Sequence, residues 1–211
     1  MKESPKPLIW LASASPRRRA LLTQIAVEHR ARAVDVDERV EPAERPVDYV
    51  RRLAIAKARA LWERLPPAER LPVLGADTTV SIDGHNLGKP ASEDDCVRML
   101  GLLGGRTHQV CTAVALYWSD NCLSRVNVSE VTFRTLSEEE IRAYWQTGEP
   151  ADKAGGYAIQ GLAAVFIERI AGSYSGVMGL PLYETAELLS RIGWSLSRPA
   201  GLAAAAHGAH G

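Results

Sequence analysis

The 211-residue chain has little cysteine, few aromatic residues and no excess of charge of either sign. Cys96, Cys111 and Cys122 are odd in number and lack CxxC spacing, which argues against both a disulfide framework and a zinc cluster, and fits a reducing cytoplasm. Lys plus Arg equals Asp plus Glu at 25 each, so no net field draws nucleic acid or an anionic membrane to the surface at large. Any attraction for polyanions must be local. No apolar run approaches the length of a membrane-spanning helix, and no internal repeat marks a solenoid. Near the start, lysines, the run LIWLA and then Ala12-Ser13-Ala14 imitate a secretory signal, but the apolar stretch is shorter than the roughly 7 to 15 residues such a signal needs, and arginines follow at once. A first β-strand is the better reading. What is present is 46% hydrophobic content, ample for a core.

Helical and strand patterns alternate along most of the length, which predicts an α/β protein with a mixed sheet flanked by helices. Leu8–Ala12 reads as a buried strand, Pro16–Ile25 as a helix and Ala31–Val36 as a second strand. Val47–Trp62 has helical spacing, with Val50, Leu53, Ala54, Ala58 and Leu61 on one stripe. Val73–Ala76 reads as a strand ending at Asp77, and Thr79–Leu87 as a hairpin turning at Asp83-Gly84. Ser92 caps a helix through Leu103, Thr107–Trp118 and Leu123–Leu136 form two longer strands, and Ser137 with Glu140 makes a capping box. A strand over Ala163–Ile170 and a helix from Pro181 to about Arg191 complete one domain, 1–193. Beyond it, 194–211 collapses into PAGLAAAAHGAHG and is predicted to be a disordered tail.

The segment SASPRRR raises the first chemical question. Ser15 is a good N-cap and Pro16 a good first helical residue, so Arg17, Arg18 and Arg19 fall in the first turn. A helix N-terminus favours anions, so three cations there are of the wrong sign. Either they are a solvated basic surface, or Ser13, Ser15, the free N–H groups and one or two arginines cradle a phosphate.

Three further places carry candidate chemistry. Asp77 in GADTTV sits where α/β proteins put catalytic or metal-binding carboxylates, and where ordinary turns also put aspartate. Counting back along the hairpin sets Ile82 against His85 and Thr78 against Lys89, so Lys89 meets Asp77 only if Gly88-Lys89-Pro90 leaves the ladder. A structural ion pair is the plain alternative. Lys57, off the apolar stripe of its helix, and Glu38, past the second strand, each fit a solvated surface when read singly. GSYSGVMGLP, Gly172 to Pro181, is either a phosphate-wrapping backbone or a mobile loop.

Taken together, SASPRR at 13–18, AKA at 56–58, GADTTV at 75–80, LGKP at 87–90, DKAGGYAIQG at 152–161 and GSYSGVMGLPL at 172–182 closely resemble the Maf family, over about Leu8 to Arg191. Its members are cytoplasmic nucleoside triphosphate pyrophosphatases, sometimes described as septum-formation inhibitors. The resemblance implies an elongated mixed α/β sheet with two lobes and a cleft, like that of inosine triphosphate pyrophosphatases. It implies cleavage to the monophosphate and pyrophosphate with a divalent cation, Mg²⁺ or Mn²⁺, and it points to a homodimer. By position Asp77 matches the catalytic acid-base residue, Arg18, Glu38, Lys57 and Lys89 the polar site residues, and Arg17, Thr78 and Gln160 positions linked to substrate choice.

That chemistry is self-consistent. Water attacking the α-phosphorus needs a base, which Asp77 supplies directly or by holding the metal together with Glu38, while Arg18, Lys57 and Lys89 neutralise pyrophosphate. The carboxamide of Gln160 offers donor and acceptor, matching the mixed edge of uracil or thymine. DKAGGYAIQG accordingly resembles the dTTP- and UTP-hydrolysing branch, whereas the sibling branch acting on 7-methyl-GTP carries Glu there. Two rivals have other classes. A non-catalytic nucleotide-binding regulator of cell division would not need Asp77, and a nucleic-acid module would show a basic stripe interleaved with aromatics, which this chain lacks.

Overall fold

The computed structural model describes residues 8–119 and 121–196. Seven strands form one sheet in the order β2-β1-β3-β5-β6-β7, with β4 paired to β3. The strands are β1 (Ile9–Leu11), β2 (His29–Ala31), β3 (Val73–Ile82), β4 (His85–Leu87), β5 (Thr107–Trp118), β6 (Asn121–Phe133) and β7 (Ile167–Ala171). The helices are α1 (Pro16–Gln24), α2 (Pro46–Arg64), α3 (Glu93–Leu103), α4 (Glu138–Gln146), α5 (Tyr174–Val177) and α6 (Leu182–Ser190). β1 runs parallel to β2 and β3, and β3-β5-β6-β7 is antiparallel throughout, so the sheet is mixed as expected.

Local signals place most of these elements. Ser15, Ser92 and Ser137 each cap a helix through the side chain, and Ser137 with Glu140 completes the capping box. On α2 the buried residues are Val50, Leu53, Ala54, Ala58 and Leu61, the predicted stripe. That stripe covers one face of the central strands, packing on Val73, Cys111, Ala113 and Ala115. The opposite face is covered by α1 and α6 at one end, around Leu74, Val114 and Leu116, and by α3 and α4 at the other, around Val80, Leu100 and Phe133.

Several boundaries differ from expectation. The second strand lies at His29–Ala31, not Ala31–Val36, because its three residues pair with Ile9–Leu11 and β1 is no longer than that. β3 does not stop before Asp77, since β5 pairs with it continuously from Val73 to Ser81. The last strand does not begin at Ala163 as expected: residues 163–166 belong to a 3-10 helix, Leu162–Phe166, and pairing with β6 starts only at Ile167. β6 runs from Asn121 to Phe133, so Arg134 to Leu136 fall outside it. The supposed loop GSYSGVMG contains the short helix α5. Trp194, expected to open the tail, packs against the core beside Leu189, and residues 197–211 lie outside the described part.

One feature of the topology creates a functional opening. β5 occupies one edge of β3, so β1 and β4 must share the other: β1 pairs at Val73 and Leu74, β4 at Val80 to Ile82. Between them the edge of β3 from Gly75 to Thr79 has no strand partner. An open stretch of strand edge must satisfy its backbone groups from elsewhere.

Candidate active site

The opening in the β3 edge is the floor of a cleft of about 510 Å³. Asp77 and Thr78 project from the floor, Ser15, Arg17 and Arg18 come from α1, Tyr49 and Lys57 from α2, Lys89 from the segment after β4, and Gln160 from the turn after Tyr157. Glu38 reaches it from the loop before α2. Ser13 does not line the cleft; its hydroxyl accepts from Ser15 N and Arg18 Nη1.

Asp77 is 7% exposed, and Lys57 Nζ donates to its Oδ1 at 2.7 Å. The same ammonium lies 2.6 Å from Glu38 Oε1. This geometry depends on Gly75, two residues earlier on the same face of β3. A Cβ there would stand 2.2 Å from Ala54 O and 2.8 Å from Ala58 N, so only glycine lets α2 come close enough to set Lys57 over Asp77. Burial raises the Asp77 pKa above the ordinary carboxylate value, against the opposing pull of Lys57 and Arg18. A buried carboxylate held this way stays a proton acceptor while being more basic than one in water.

Arg18 answers the question of the misplaced cations. Its guanidinium crosses the open edge of β3, with Nη1 donating to Ala76 O at 2.8 Å and Nε to Gly179 O at 2.8 Å. Nη1 also reaches Ser13 Oγ at 3.3 Å and Nη2 reaches Thr78 Oγ1 at 3.2 Å. Four of the five N–H groups of a guanidinium are thereby used, leaving one on Nη2 for the cleft. Arg18 is therefore first a strut that satisfies the carbonyl left free by the missing strand. Arg17 faces the cleft, whereas Arg19 is exposed and does not line it. The glycine-rich segment 172–179 offers a carbonyl to a cation here rather than wrapping N–H groups around an anion.

Lys89 reaches the cleft by the route expected. The β3–β4 ladder pairs Ile82 with His85 and ends at Val80 with Leu87, so Lys89 leaves it and lines the opening. The 3-10 turn Ala154–Gly156 supports this exit, Gly155 N donating to Gly88 O at 2.9 Å. Lys153, not singled out in the sequence, also lines the cleft, ion-paired to Asp152. Tyr49 was missed as well: its hydroxyl donates to Glu38 O at 3.0 Å, and burial pushes its pKa up to about 12. Lys153 lies inside the quoted DKAGGYAIQG without a signal of its own, and the DY of Tyr49 is too common to be noticed without the fold.

The loop carrying Glu38 has no regular structure between β2 and α2 and is held by side chains of α2. Arg52 pairs with Glu44 at 2.6 Å and donates to Arg39 O at 3.0 Å, beside the Tyr49 bond. Two carboxylates thus meet at one ammonium. Among the described residues no cluster of three or more His, Cys, Asp or Glu side chains is arranged to hold a metal ion. The Asp77–Glu38 pair fits a different case, because Mg²⁺ characteristically takes one or two carboxylates and fills its remaining positions with water and substrate phosphate. Lys57 Nζ marks the place where those two side chains already converge on positive charge.

Cations converging on one buried carboxylate, at a break in the edge of a mixed sheet, define an α/β protein built to handle polyphosphate. Comparison with known proteins makes this specific. The Maf-like protein family matches residues 8–192, and the chain belongs to that family. A protein of Colwellia psychrerythraea named dTTP/UTP pyrophosphatase is 53% identical over 186 residues, covering 87% of this chain and 88% of its own. One of Pseudoalteromonas translucida with the same name is 55% identical over 181 residues, covering 86% and 95%. Among solved structures the Ham1 protein of Staphylococcus aureus aligns at 16% identity with a TM-score of 0.37, covering 60% of this chain and 71% of its own, too loose a likeness to carry an argument. No helix among the described residues is long and apolar enough to cross a membrane.

Proposed function

We propose that this chain hydrolyses dTTP and UTP to the monophosphate and pyrophosphate. The observation that carries the reading is Lys57 Nζ held between Asp77 and Glu38 on the floor of a cleft walled by Arg17, Arg18, Lys89 and Lys153. The names of the relatives supply the substrate, and Gln160 at the cleft rim supplies a matching base reader.

Asp77 accepts the proton as a water oxygen bonds to the α-phosphorus, and the Pα–O–Pβ bridge breaks towards pyrophosphate. Lys57 fixes the carboxylate through its hydrogen bond to Oδ1. Arg17, Lys89 and Lys153 offset the charge that builds on the leaving group, and the remaining Nη2 hydrogen of Arg18 orients one phosphate oxygen. Asp77 and Glu38 would hold a divalent cation, Mg²⁺ or Mn²⁺, arriving with the triphosphate, which when bound polarises the phosphoryl oxygens. A triphosphate supplies the opposite charge that these groups lack.

Pyrophosphate release measured with Mg²⁺ across a nucleotide panel tests the reading. The expected result is preference for dTTP and UTP over 7-methyl-GTP and purine triphosphates. Faster release from 7-methyl-GTP would move the chain to that substrate, and binding without release would make it a nucleotide-dependent regulator.

A further inference from the structure

Gln160 stands on a turn, 157–161, between two short 3-10 helices, Ala154–Gly156 and Leu162–Phe166. Such a turn reads a base only if something holds it still. On the side away from the cleft, Glu149 does so. Its carboxylate accepts from Leu162 N at 3.0 Å and Ala163 N at 3.4 Å, the first N–H groups of that 3-10 helix. Tyr144 of α4 donates its hydroxyl to Glu149 Oε1 at 2.6 Å and accepts from Ala158 N at 3.3 Å. Both sides of Gln160 are thus tied to one tyrosine–glutamate pair. Gly161 makes the approach possible, since a Cβ there would lie 2.2 Å from Glu149 Oε2.

Neither Tyr144 nor Glu149 lines the cleft. The Tyr144 ring is buried edge-on against Phe166 at 5.2 Å between centroids, so it is anchored in the core and carries rigidity outwards. Protein–backbone bonds to Glu149 and the Tyr144 hydroxyl hold its pKa below the ordinary glutamate value despite burial, which keeps it an acceptor for all three donors. The start of the turn is also held in the core, where Tyr157 OH lies 2.8 Å from His108 Nε2 and Tyr157 and Ile159 are buried.

We infer that Tyr144 and Glu149 are positioning residues for base selection, acting through the backbone of residues 158–163 on Gln160. The inference deepens the proposed function and rests on it. Freeing the turn lets the Gln160 carboxamide move relative to the base while the phosphate-handling groups on β3, α1 and α2 stay in place. The loss therefore falls on discrimination between bases and on KM, not on the chemical step.

The experiment compares Tyr144→Phe, Glu149→Gln and Gln160→Ala with wild type, measuring kcat and KM for UTP and GTP. Tyr144→Phe keeps the ring against Phe166 and removes only the hydroxyl, and Glu149→Gln keeps the shape, so at least one of the two folds. The expected result is that each variant lowers the UTP-over-GTP ratio of kcat/KM by about tenfold, the effect of losing about one well-placed hydrogen bond at the base. KM for UTP rises and kcat stays within about threefold in the two clamp variants. If Gln160→Ala lowers the ratio and a folded clamp variant does not, the inference is overturned while the proposed function stands. If Gln160→Ala leaves the ratio unchanged, the base-reading role of Gln160 fails, and the clamp role with it. A wild type that releases no pyrophosphate overturns the proposed function itself.

Discussion

Replacing Asp77 by Asn separates the two things the buried carboxylate does. Asparagine keeps the shape and a weak acceptor for Lys57 but cannot take a proton from water. Loss of a positioned general base costs about 10²- to 10⁴-fold, or about 2.7 to 5.5 kcal/mol in the barrier, and that is the expected fall in kcat, with nucleotide binding largely kept. Stability should move the other way. The Asp77 pKa is raised in the folded protein, chiefly by burial, so the group favours folding while protonated, and that contribution is lost as pH rises through the folded pKa. At neutral pH the ionised side chain is a net burden, and Lys57 keeps Glu38 at 2.6 Å when Asp77 loses its charge. The variant is therefore expected to melt no lower than wild type at neutral pH, with the gap closing on acidification. In wild type, kcat/KM falls on an acid limb whose midpoint lies above the 3.8 of an ordinary aspartate, and the variant has no such limb. Thermal melts at several pH values and steady-state pyrophosphate release check all three statements. A variant retaining more than a tenth of the activity, or melting several degrees lower at neutral pH, would refute the reasoning.

Gly75→Ala forces α2 away from β3, because its Cβ has no space beside Ala54 O. The expected cost is about 1–3 kcal/mol or more in denaturant unfolding, with a fall in kcat as Lys57 leaves Asp77. Arg52→Ala releases the loop that carries Glu38 by removing its bonds to Glu44 and Arg39 O, and is expected to raise the Mg²⁺ concentration for half-maximal activity severalfold with little change in KM for UTP. An unchanged Mg²⁺ titration would remove Glu38 from the metal-binding role. Chelation with EDTA is expected to abolish pyrophosphate release and restoring Mg²⁺ to recover it, if Asp77 and Glu38 hold the proposed cation with the triphosphate.

Much of the molecule is settled by signals that act within a few residues. The serine caps of α1, α3 and α4, the stripe of α2, the Asp83-Gly84 hairpin and the exit of Lys89 from its ladder follow from local backbone chemistry and periodicity. The resemblance of the motifs to one family likewise belongs to the chain alone. The mid-strand position of Asp77 was not legible, because a neighbour from residues 107–118 keeps β3 extended past it, and no residue near Asp77 records that neighbour.

The sequence by itself determined which acids and bases are available, and on which helix or strand most of them ride. Only the tertiary structure decided that β1 and β4 leave the middle of β3 open, that Arg18 spans that opening to a carbonyl 161 residues away, and that Glu149 and Tyr144 brace the turn bearing Gln160. The physical reason is range. Caps and turns are decided by hydrogen bonds a few residues long, whereas a site assembled across a sheet edge depends on strand order, which the whole set of buried faces decides together.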